Sequence, residues 1–274
     1  KLGIPHTAAF HCQPENITFT LHMGNSKRVN DFVYNRFRDS FFNRFTHIHC
    51  PSNMIADQLR QHGYTAQLHV ISNGISPEYT YGKREKEPWM QGFFNVLMVG
   101  RYAGEKRQDE LIDACAKSRH AQEIQVILAG KGPLEKKYRK LAEKLPNPIV
   151  MSFYEPARLL EILHMADLYV HTSDAEIEAM SCMEAFACGL VPVIADSPRS
   201  ATPQFALDER SLFPAGDTDA LAARIDWWIE HPEERREMER RYAEHARQYS
   251  LEASIRKTEE MFRQAIAEQR GARA

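Results

Sequence analysis

Long hydrophobic runs are missing from this chain of 274 residues. The apolar stretch at residues 188–195 contains Pro192, and no apolar stretch reaches the about 20 residues that a membrane-spanning helix needs. An excess of charge of one sign is missing too, because 35 Lys and Arg nearly balance 37 Asp and Glu. The first absence excludes a membrane-spanning helix, and the second argues against nucleic acid as the main partner.

Cysteines are few, and none of them forms a CxxC pair. The five are Cys12, Cys50, Cys115, Cys182 and Cys188. An odd number without that spacing argues against a disulfide framework or a zinc site of cysteines, so a cytoplasmic location is expected. Residues 47–50, His-Ile-His-Cys, offer another zinc interpretation, but no second ligand cluster lies at a zinc spacing.

The charge distribution divides the chain. Residues 1–77 contain seven Lys and Arg against four Asp and Glu, together with seven of the twelve histidines. Residues 78–92 are polar, contain Gly and Pro, and are predicted to link two domains. The sequence thus predicts a first domain over 1–77, a linker over 78–92, a second domain over 93–249 and a C-terminal helix over 250–274.

Beyond residue 93, short apolar runs alternate with helical stretches. The predicted strands cover residues 96–99, 124–128, 149–153, 168–170 and 191–195. The predicted helices cover residues 106–117, 134–145, 157–166 and 181–188. This alternation predicts an α/β fold, a parallel sheet flanked by helices, and continuous apolar strands agree with burial of both faces. Ligands of such sheets bind beyond the carboxyl ends of the strands, so the residues after each run are the site candidates.

The first 77 residues are less regular, with predicted strands over 8–10 and 69–72 and a helix over 26–46. The apolar residues of the helix share one side: Val29, Phe32, Val33, Phe37, Phe41 and Phe45. The helix also carries five Lys and Arg. Two interpretations stay open, because a basic, aromatic helix can lie on an anionic membrane surface and its apolar side can equally pack on its own sheet.

The first site candidate follows strand 96–99 and reads GRYAGEK, residues 100–106. Gly100 permits a sharp turn, and Arg101 and Lys106 then stand near the start of the next helix. Two cations there suit a diphosphate, Arg as a planar fork and Lys as a point charge. A surface loop with solvated charges is the alternative.

The second candidate follows strand 168–170. Glu176 lies in the loop and Glu184 in the first turn of the next helix, where a carboxylate can accept hydrogen bonds from the vicinal hydroxyls of a ribose. Free amides over residues 180–183 would point at an anion. Ser181-x-x-Glu184 is also the pattern of a capping box, in which Glu184 only satisfies the helix end.

Two further motifs are weaker. Residues 130–133, GKGP, follow a strand but lack the third glycine of a dinucleotide fingerprint, so they indicate only a tight turn. Residues 217–219, Asp-Thr-Asp, suit a metal-chelating pair, but Asp217 directly precedes a helix and is more simply its N-cap.

The order and distances of four segments, GRYAGEK, AGKGP, ADLYVHTSDAE and EAFACGLVPVIA, resemble the C-terminal domain of the family-4 glycosyltransferases of the GT-B fold. The resemblance covers about residues 94–265. The segments PHTAAFHCQPENIT, CPSNMIADQLRQHGY and HVISNGI are similar to the second half of that family's first domain, and SATPQFALDE at 200–209 is most similar to bacterial glycolipid-type hexosyltransferases.

This resemblance implies two Rossmann-like domains, the first of them incomplete. It implies a nucleotide-sugar donor, usually UDP-linked, and transfer of the hexose with retention to a lipid or saccharide acceptor, without a cofactor or an essential metal. An epimerase on the same fold is a third class, against which the spaced glutamates argue.

The family's site residues map onto this chain one by one. Arg101 and Lys106 match the diphosphate-binding pair, Glu184 the ribose-binding carboxylate and Glu176 the glutamate beside the transferred sugar. His11 matches a histidine that faces the donor hexose. The remaining expected contacts with the nucleotide sugar are Gly100, Phe153, Tyr154, Ile177, Met180, Ser181 and Cys182, with Phe153 and Tyr154 at the base.

The chain departs from the family's pattern in two places. Where the family often has Gly-Phe-Gly after the first glutamate, this chain has Ile177-Glu178-Ala179, and the loss of glycines narrows the available backbone conformations. Glu178 is expected to be exposed, with a role in specificity as the alternative. The usual opening strands of the first domain are absent, so we expect a fragment or a natural truncation, and a non-catalytic protein that only binds a nucleotide sugar is the second hypothesis.

Overall fold

The computed structural model describes residues 4–21 and 23–271, which form two main parallel sheets and a short two-stranded one. The first sheet has three strands, β1 (Ala8–Ala9), β2 (His47–Cys50) and β3 (Gln67–Val70), in the order β1-β2-β3. Its helices are α1 (Pro14–Thr20), α2 (Lys27–Ser40) and α3 (Asn53–Gln61). A small core around Phe10, Tyr34, Ile48 and Leu59 fills the space between them.

The second sheet contains six strands and is entirely parallel. They are β4 (Phe94–Val99), β5 (Ile124–Ala129), β6 (Val150–Ser152), β7 (Leu168–His171), β9 (Pro192–Asp196) and β11 (Leu212–Pro214), in the order β11-β9-β7-β4-β5-β6. A separate pair of two-residue strands, β8 (Ala175–Glu176) and β10 (Arg199–Ser200), lies beside its carboxyl edge. All six residues of β5 are buried, as a central strand covered on both faces requires.

The described residues after β4 form seven helices. They are α4 (Gln108–Lys117), α5 (Glu135–Leu141), α6 (Pro156–Met165), α7 (Met180–Ala187), α8 (Thr218–Glu230), α9 (Pro232–Ala246) and α10 (Leu251–Gly271). The chain leaves β4 toward β5 but later returns to the other side of β4 through β7. Right-handed crossovers then put α4 and α7 on opposite faces, so β4 and β7 flank the topological switch point where α/β sheets bind ligands.

The α/β fold predicted from the sequence is confirmed, and each predicted strand of the second sheet forms within two residues of its expected bounds. Strand β11 was not predicted. The predicted helix over 26–46 is too long, since α2 ends at Ser40. Its apolar side is only partly its buried side. Phe37 packs against the first-domain core, but the residues that α2 buries are Asn30 and Tyr34, and Phe32 is 67% exposed.

The C-terminal helix α10 returns to the first sheet. Ile75 pairs with the chain just before α10, donating to the carbonyl of Tyr249 at 2.7 Å and accepting from the amide of Leu251 at 3.0 Å. Near the other end of α10, Glu268 contacts Nε2 of His47 at 3.0 Å. Residues 272–274 of the predicted C-terminal helix lie outside the described residues. None of the described helices is long and apolar enough to span a bilayer.

Candidate functional site

The loops that follow β4 and β5 lie against each other at the carboxyl edge of the second sheet. The amide of Gly100 donates to the carbonyl of Ala129 at 3.0 Å. A Cβ atom at Gly130 would lie 2.0 Å from the carbonyl oxygen of Gly100, and one at Gly132 would lie 2.5 Å from that of Tyr102. The prediction that residues 130–133 form only a tight turn is therefore wrong, because these glycines permit close contact between two loops of the site.

A cavity of about 380 Å³ opens beside these loops. Its lining includes Gly100, Arg101, Gly130, Lys131, Phe153, Tyr154 and Leu159. The ring of Phe153 is 54% exposed, and Nζ of Lys131 lies 4.2 Å from its centroid. An exposed ring beside a cation suits a planar, electron-rich ligand such as a nucleobase. Lys131 was missed by sequence reasoning, because the GKGP segment that contains it is interpreted there only as a tight turn.

Arg101 is held at this cavity by a buried carboxylate. Its Nη2 atom lies 2.8 Å from Oε1 of Glu105, whose side chain is only 6% exposed, while the Arg101 side chain is 60% exposed. The side-chain amide of Gln108 also donates to the Arg101 carbonyl at 2.8 Å. The guanidinium is thus oriented in advance and still has donors that face solvent, as a diphosphate would need.

Lys106 and Glu176 form an ion pair across the switch point. Nζ of Lys106 donates to Oε2 of Glu176, and Nε2 of His171 lies 3.7 Å from the same oxygen. Burial opposes ionisation of this carboxyl, but Lys106 and His171 outweigh burial and keep the pKa of Glu176 well below its usual range. The hydroxyl of Thr172 donates to the Lys106 carbonyl at 2.7 Å. Two predicted site residues from distant segments therefore come together as an ionised pair.

Helix α7 begins next to the end of β4. The hydroxyl of Ser181 donates to the carbonyl of Val99 at 3.3 Å and accepts from the phenol of Tyr169 at 3.0 Å. The N-cap is Ala179, so the capping-box alternative for Ser181 and Glu184 is excluded. Within this site, the Ser181 side chain belongs to the sheet edge and not to the helix cap.

The expected set of four free amides at the start of α7 is too large. The amides of Cys182 and Met183 both donate to the Ala179 carbonyl, at 2.9 and 3.2 Å. The amides of Met180 and Ser181 stay outside the helix's own hydrogen bonds and are the ones that an anion can reach. The Cys182 side chain is fully buried, which raises the pKa of its thiol well above the usual range.

Glu184 faces the linker. It accepts a hydrogen bond from the phenol of Tyr79, while burial, followed by the charge of Glu78, raises its pKa to about 7. Within residues 4–21 and 23–271, no ion pair joins Glu184 to Arg101 or Lys106. The carboxyl lies one turn along α7 from Ser181, and it titrates near neutral pH.

Glu178 is the main correction to the predicted site. The expectation that it is exposed is wrong, because only 2% of it is exposed. Its carboxylate accepts from the backbone amide of Asn73 at 2.9 Å and from the Asn73 side-chain amide at 2.5 Å. Neighbouring Ile177 packs against the first-domain core. One feature of the sequence indicates that this segment differs from the family: Ile177 and Glu178 stand where the family often has glycine and phenylalanine.

His11 lies at the carboxyl end of β1, beside another histidine. Its ring centroid is 5.1 Å from that of His49, whose Nε2 atom contacts the carbonyl of Ile71 at 2.6 Å. Burial and the neighbouring His49 lower the pKa of His11. The ring is therefore held as a neutral imidazole at neutral pH, suited to hydrogen bonding and not to carrying charge.

No group of three or more His, Cys, Asp or Glu side chains in the described ranges is arranged to hold a metal ion. The carboxylate of Asp217, one of the metal candidates, accepts from the amides of Asp219 and Ala220 at 3.1 and 2.9 Å. It is the N-cap of α8, as the simpler interpretation predicts.

Two non-glycine residues in the described part of the chain have left-handed backbones, and both border the site. Arg107 has φ of 53° and Ala179 has φ of 64°. They are the N-cap residues of α4 and α7, the two helices that start at the switch point. Such a conformation costs an ordinary residue about 1–2 kcal/mol, and strain of this kind concentrates at functional sites.

Comparison with known proteins agrees with this geometry. Residues 82–248 match the family model for glycosyl transferases group 1, and residues 1–79 match that for glycosyltransferase family 4. A GDP-mannose-dependent alpha-mannosyltransferase of Corynebacterium glutamicum is 32% identical over 158 residues, which is 56% of this chain and 36% of that protein. The chain spans less than half the length of the curated relatives that it matches.

Solved structures give the same result. The catalytic domain of cholesterol-alpha-glucosyltransferase from Helicobacter pylori is 50% identical, with a TM-score of 0.56, over 57% of this chain and 99% of that one. HepE from Anabaena, solved with UDP and glucose, shares the fold at 18% identity and a TM-score of 0.76, over 95% of this chain and 72% of that one. The family model over 82–248 covers more than half of the sequence, and the fold agrees: the chain belongs to the glycosyl transferases group 1 family, the family-4 glycosyltransferases of the GT-B fold.

Proposed function

We propose that this protein transfers a hexose from a nucleotide sugar to an acceptor hydroxyl with retention of configuration. The observation that carries the proposal is the arrangement at the switch point. There, the Arg101 cavity, the Lys106–Glu176 pair and the first turn of α7 lie on adjoining loops. A nucleotide sugar joins a base, a ribose, a diphosphate and a sugar, and these elements supply an aromatic surface, cations, free amides and carboxylates for them.

In this proposal, Phe153 and Tyr154 hold the base, Gly100 and Arg101 approach the diphosphate, and Glu184 binds the ribose hydroxyls. The nucleotide is UDP, the one bound in the HepE structure, and GDP is the alternative because a matched relative is named for GDP-mannose. Lys131 beside Phe153 adds a cation at the base.

The chemical step is departure of the nucleoside diphosphate from the anomeric carbon. Negative charge grows on the β-phosphate as that bond breaks, and Arg101, Lys106 and the amides of Met180 and Ser181 stabilise it where it develops. The acceptor hydroxyl attacks from the same face and gives its proton to the leaving phosphate. Glu176 and His11 position the sugar, Glu176 as a carboxylate already paired with Lys106 and His11 as a neutral imidazole.

The domain division expected from the sequence is part of this proposal. The first domain over 1–77 provides the acceptor side, the linker over 78–92 joins it to the donor-binding domain over 93–249, and the helix over 250–274 returns to the first domain. The contacts of α10 with Ile75 and His47 support that return.

We further propose a lipid acceptor reached at an anionic membrane surface. On α2, Arg28, Phe32 and Arg36 follow one another at four-residue spacing and therefore share a face, opposite to buried Asn30 and Tyr34. An exposed aromatic ring between two arginines suits the interface of an anionic bilayer. The name of the Helicobacter pylori protein, which specifies a sterol acceptor, supports this choice.

The donor assignment is tested by calorimetric titration with UDP and GDP, followed by transfer assays with UDP-glucose and GDP-mannose on lipid and saccharide acceptors. We expect one nucleotide to bind and its sugar to be transferred with retention. If the protein binds a nucleotide but neither transfers nor hydrolyses the nucleotide sugar, the non-catalytic alternative is favoured. If the donor sugar is epimerised, an epimerase is favoured.

The membrane assignment is tested by flotation with vesicles of phosphatidylglycerol or of phosphatidylcholine alone. We expect flotation with the anionic vesicles only, and its loss in a Phe32→Glu variant. Failure of the unaltered protein to float with either vesicle would exclude this surface.

A further inference from the structure

Residues 176–179 form a short connector between the Lys106–Glu176 pair and the start of α7. Both central residues of the connector point into the first domain. Ile177 packs against the first-domain core, and Glu178 is almost completely buried. The donor side of the molecule is therefore attached to the first domain only two residues from the carboxylate at its centre.

The carboxylate of Glu178 is surrounded by donors from one turn of the first domain. It accepts from the backbone amide of Asn73 through both oxygens, at 2.9 and 3.2 Å, and from the side-chain amide of Asn73 at 2.5 Å. The hydroxyl of Ser72 also donates to it. Burial raises the pKa of Glu178, and these donors oppose that shift. A buried carboxylate needs such donors, so the contact is specific and not only a packing contact.

The turn over 72–74 is itself fixed on its other sides. The amide of Gly74 donates to Oγ of Ser72 at 3.1 Å, and that hydroxyl lies 4.0 Å from Sδ of Met183 on α7. A Cβ atom at Gly74, where φ is +83°, would lie 2.7 Å from Cα of Leu251 at the start of α10. Because the turn is packed between α7 and α10, a movement of the first domain must move Glu178 with it.

We propose that Glu178 is a positioning residue that couples the arrangement of the two domains to the donor site. The turn over 72–74 holds Glu178, and the connector carries that constraint to Glu176 on one side and to the first turn of α7 on the other. The identity of the ligand rests on the proposed function above, whereas the coupling rests on the contacts of Glu178.

The position of the Arg101 cavity makes the effect selective. Its lining comes from residues 99–159 and belongs entirely to the second domain. Loss of the Glu178 contact should therefore leave this part of the nucleotide site intact and weaken binding of a nucleoside diphosphate less than it impairs transfer. It should impair transfer, which needs Glu176 and the α7 amides to be aligned with the sugar.

The experiment compares Glu178→Gln and Asn73→Ala with Glu209→Gln, an exposed glutamate used as the control. Gln keeps the shape of the side chain but removes its charge and places an amide group against the Asn73 donors. We expect kcat/KM for the nucleotide sugar to fall at least about tenfold in Glu178→Gln. We expect the Kd for UDP or GDP to change by much less than kcat/KM does, and the control to resemble the unaltered protein.

Hydrogen exchange at the Asn73 amide provides a readout that does not need activity. We expect faster exchange in Glu178→Gln, and no further loss of kcat/KM when both substitutions are combined, because they remove one contact. Unchanged kcat/KM in Glu178→Gln would overturn the proposal, as would a loss of nucleotide affinity equal to the loss of kcat/KM. If the unaltered protein binds neither UDP nor GDP, the proposed function is wrong. The coupling is then tested by hydrogen exchange alone, and equally slow exchange at the Asn73 amide in the unaltered protein and in Glu178→Gln would overturn it.

Discussion

The two sheets of this protein differ in how completely they are covered. Strand β5 of the second sheet buries all six of its residues, whereas no residue of strand β3 in the first sheet is fully buried. The charged groups of the second domain are held in place by partners, as in the Arg101–Glu105 and Lys106–Glu176 pairs. In contrast, α2 of the first domain presents an exposed phenylalanine and two arginines. Under the proposed function, the second domain is a preformed donor half and the first domain is an acceptor half whose surface is built for contact.

The largest expected effect tests the difference in packing. Phe186 in α7 is fully buried, whereas Phe32 in α2 is 67% exposed. Phe186→Ala should lower the free energy of unfolding by about 3–5 kcal/mol, since it leaves a cavity in the core. Phe32→Ala should change it by less than about 0.5 kcal/mol. Urea denaturation of both variants measures this, and equal losses would contradict the comparison.

The next effect tests whether the preformed donor half carries the chemistry. Arg101→Ala should lower turnover by about 10²–10³-fold, because it removes a donor already placed where charge develops. Arg256 is the matched control, since it also pairs with a glutamate four residues away and is 68% exposed. Steady-state transfer assays measure both variants. Equal turnover in the two variants would refute the role of Arg101.

The second domain could be predicted well from the sequence for a physical reason. A strand buried on both faces must be continuously apolar, so 96–99 and 124–128 were easily recognised, and the polar residues after such strands had to lie at one edge. That rule places Lys106 and Glu176 at the same edge, but it does not predict that they form an ion pair. Strand β11 escaped prediction because it has three residues and ends in Pro214.

The first domain and the connector were predicted less well. Periodicity shows which residues of α2 share a face, but it does not show which face the rest of the domain covers, and here polar Asn30 lies inside. The burial of Glu178 depends on Asn73, which is 105 residues away in sequence. No local pattern contains that information.

A smaller effect concerns the titration of Glu184. Its pKa of about 7 means that the carboxylate fraction increases between pH 6 and 8. Affinity for the nucleoside diphosphate should therefore rise several-fold across this interval, because the ionised form is the better acceptor for ribose hydroxyls. In Glu184→Gln the affinity should be lower, and the pH dependence that remains should be only that of the phosphate group of the ligand. Calorimetric titration at pH 6, 7 and 8 measures both proteins.

The same pKa has a consequence for stability. Because the folded state raises the pKa of Glu184 above 4.5, the folded protein binds the proton more tightly than the unfolded chain. The stability that depends on this proton is present below pH 4.5 and is lost as the pH rises toward 7. The stability of Glu184→Gln relative to the unaltered protein should thus increase over that interval, and a constant difference would contradict the assignment.

The smallest effect tests the strain at the start of α7. Ala179 has a left-handed backbone, with φ of 64°, at a position where the family often has glycine. Ala179→Gly should remove a steric cost of about 1–2 kcal/mol from the folded state. Glycine also increases the conformational entropy of the unfolded chain, which offsets part of this gain, so the free energy of unfolding should rise by about 1 kcal/mol. Thermal denaturation measures this gain.

Ala185, inside the same helix, is the matched control, because the same substitution there should destabilise the protein by at least about 1 kcal/mol. If Ala179→Gly destabilises the protein as Ala185→Gly does, the left-handed conformation is not strained. If it stabilises the fold and also lowers kcat/KM, then Ala179 keeps the connector rigid at the expense of stability. The rigidity that distinguishes the donor half from the first domain would then include the connector over 176–179, where the two domains meet.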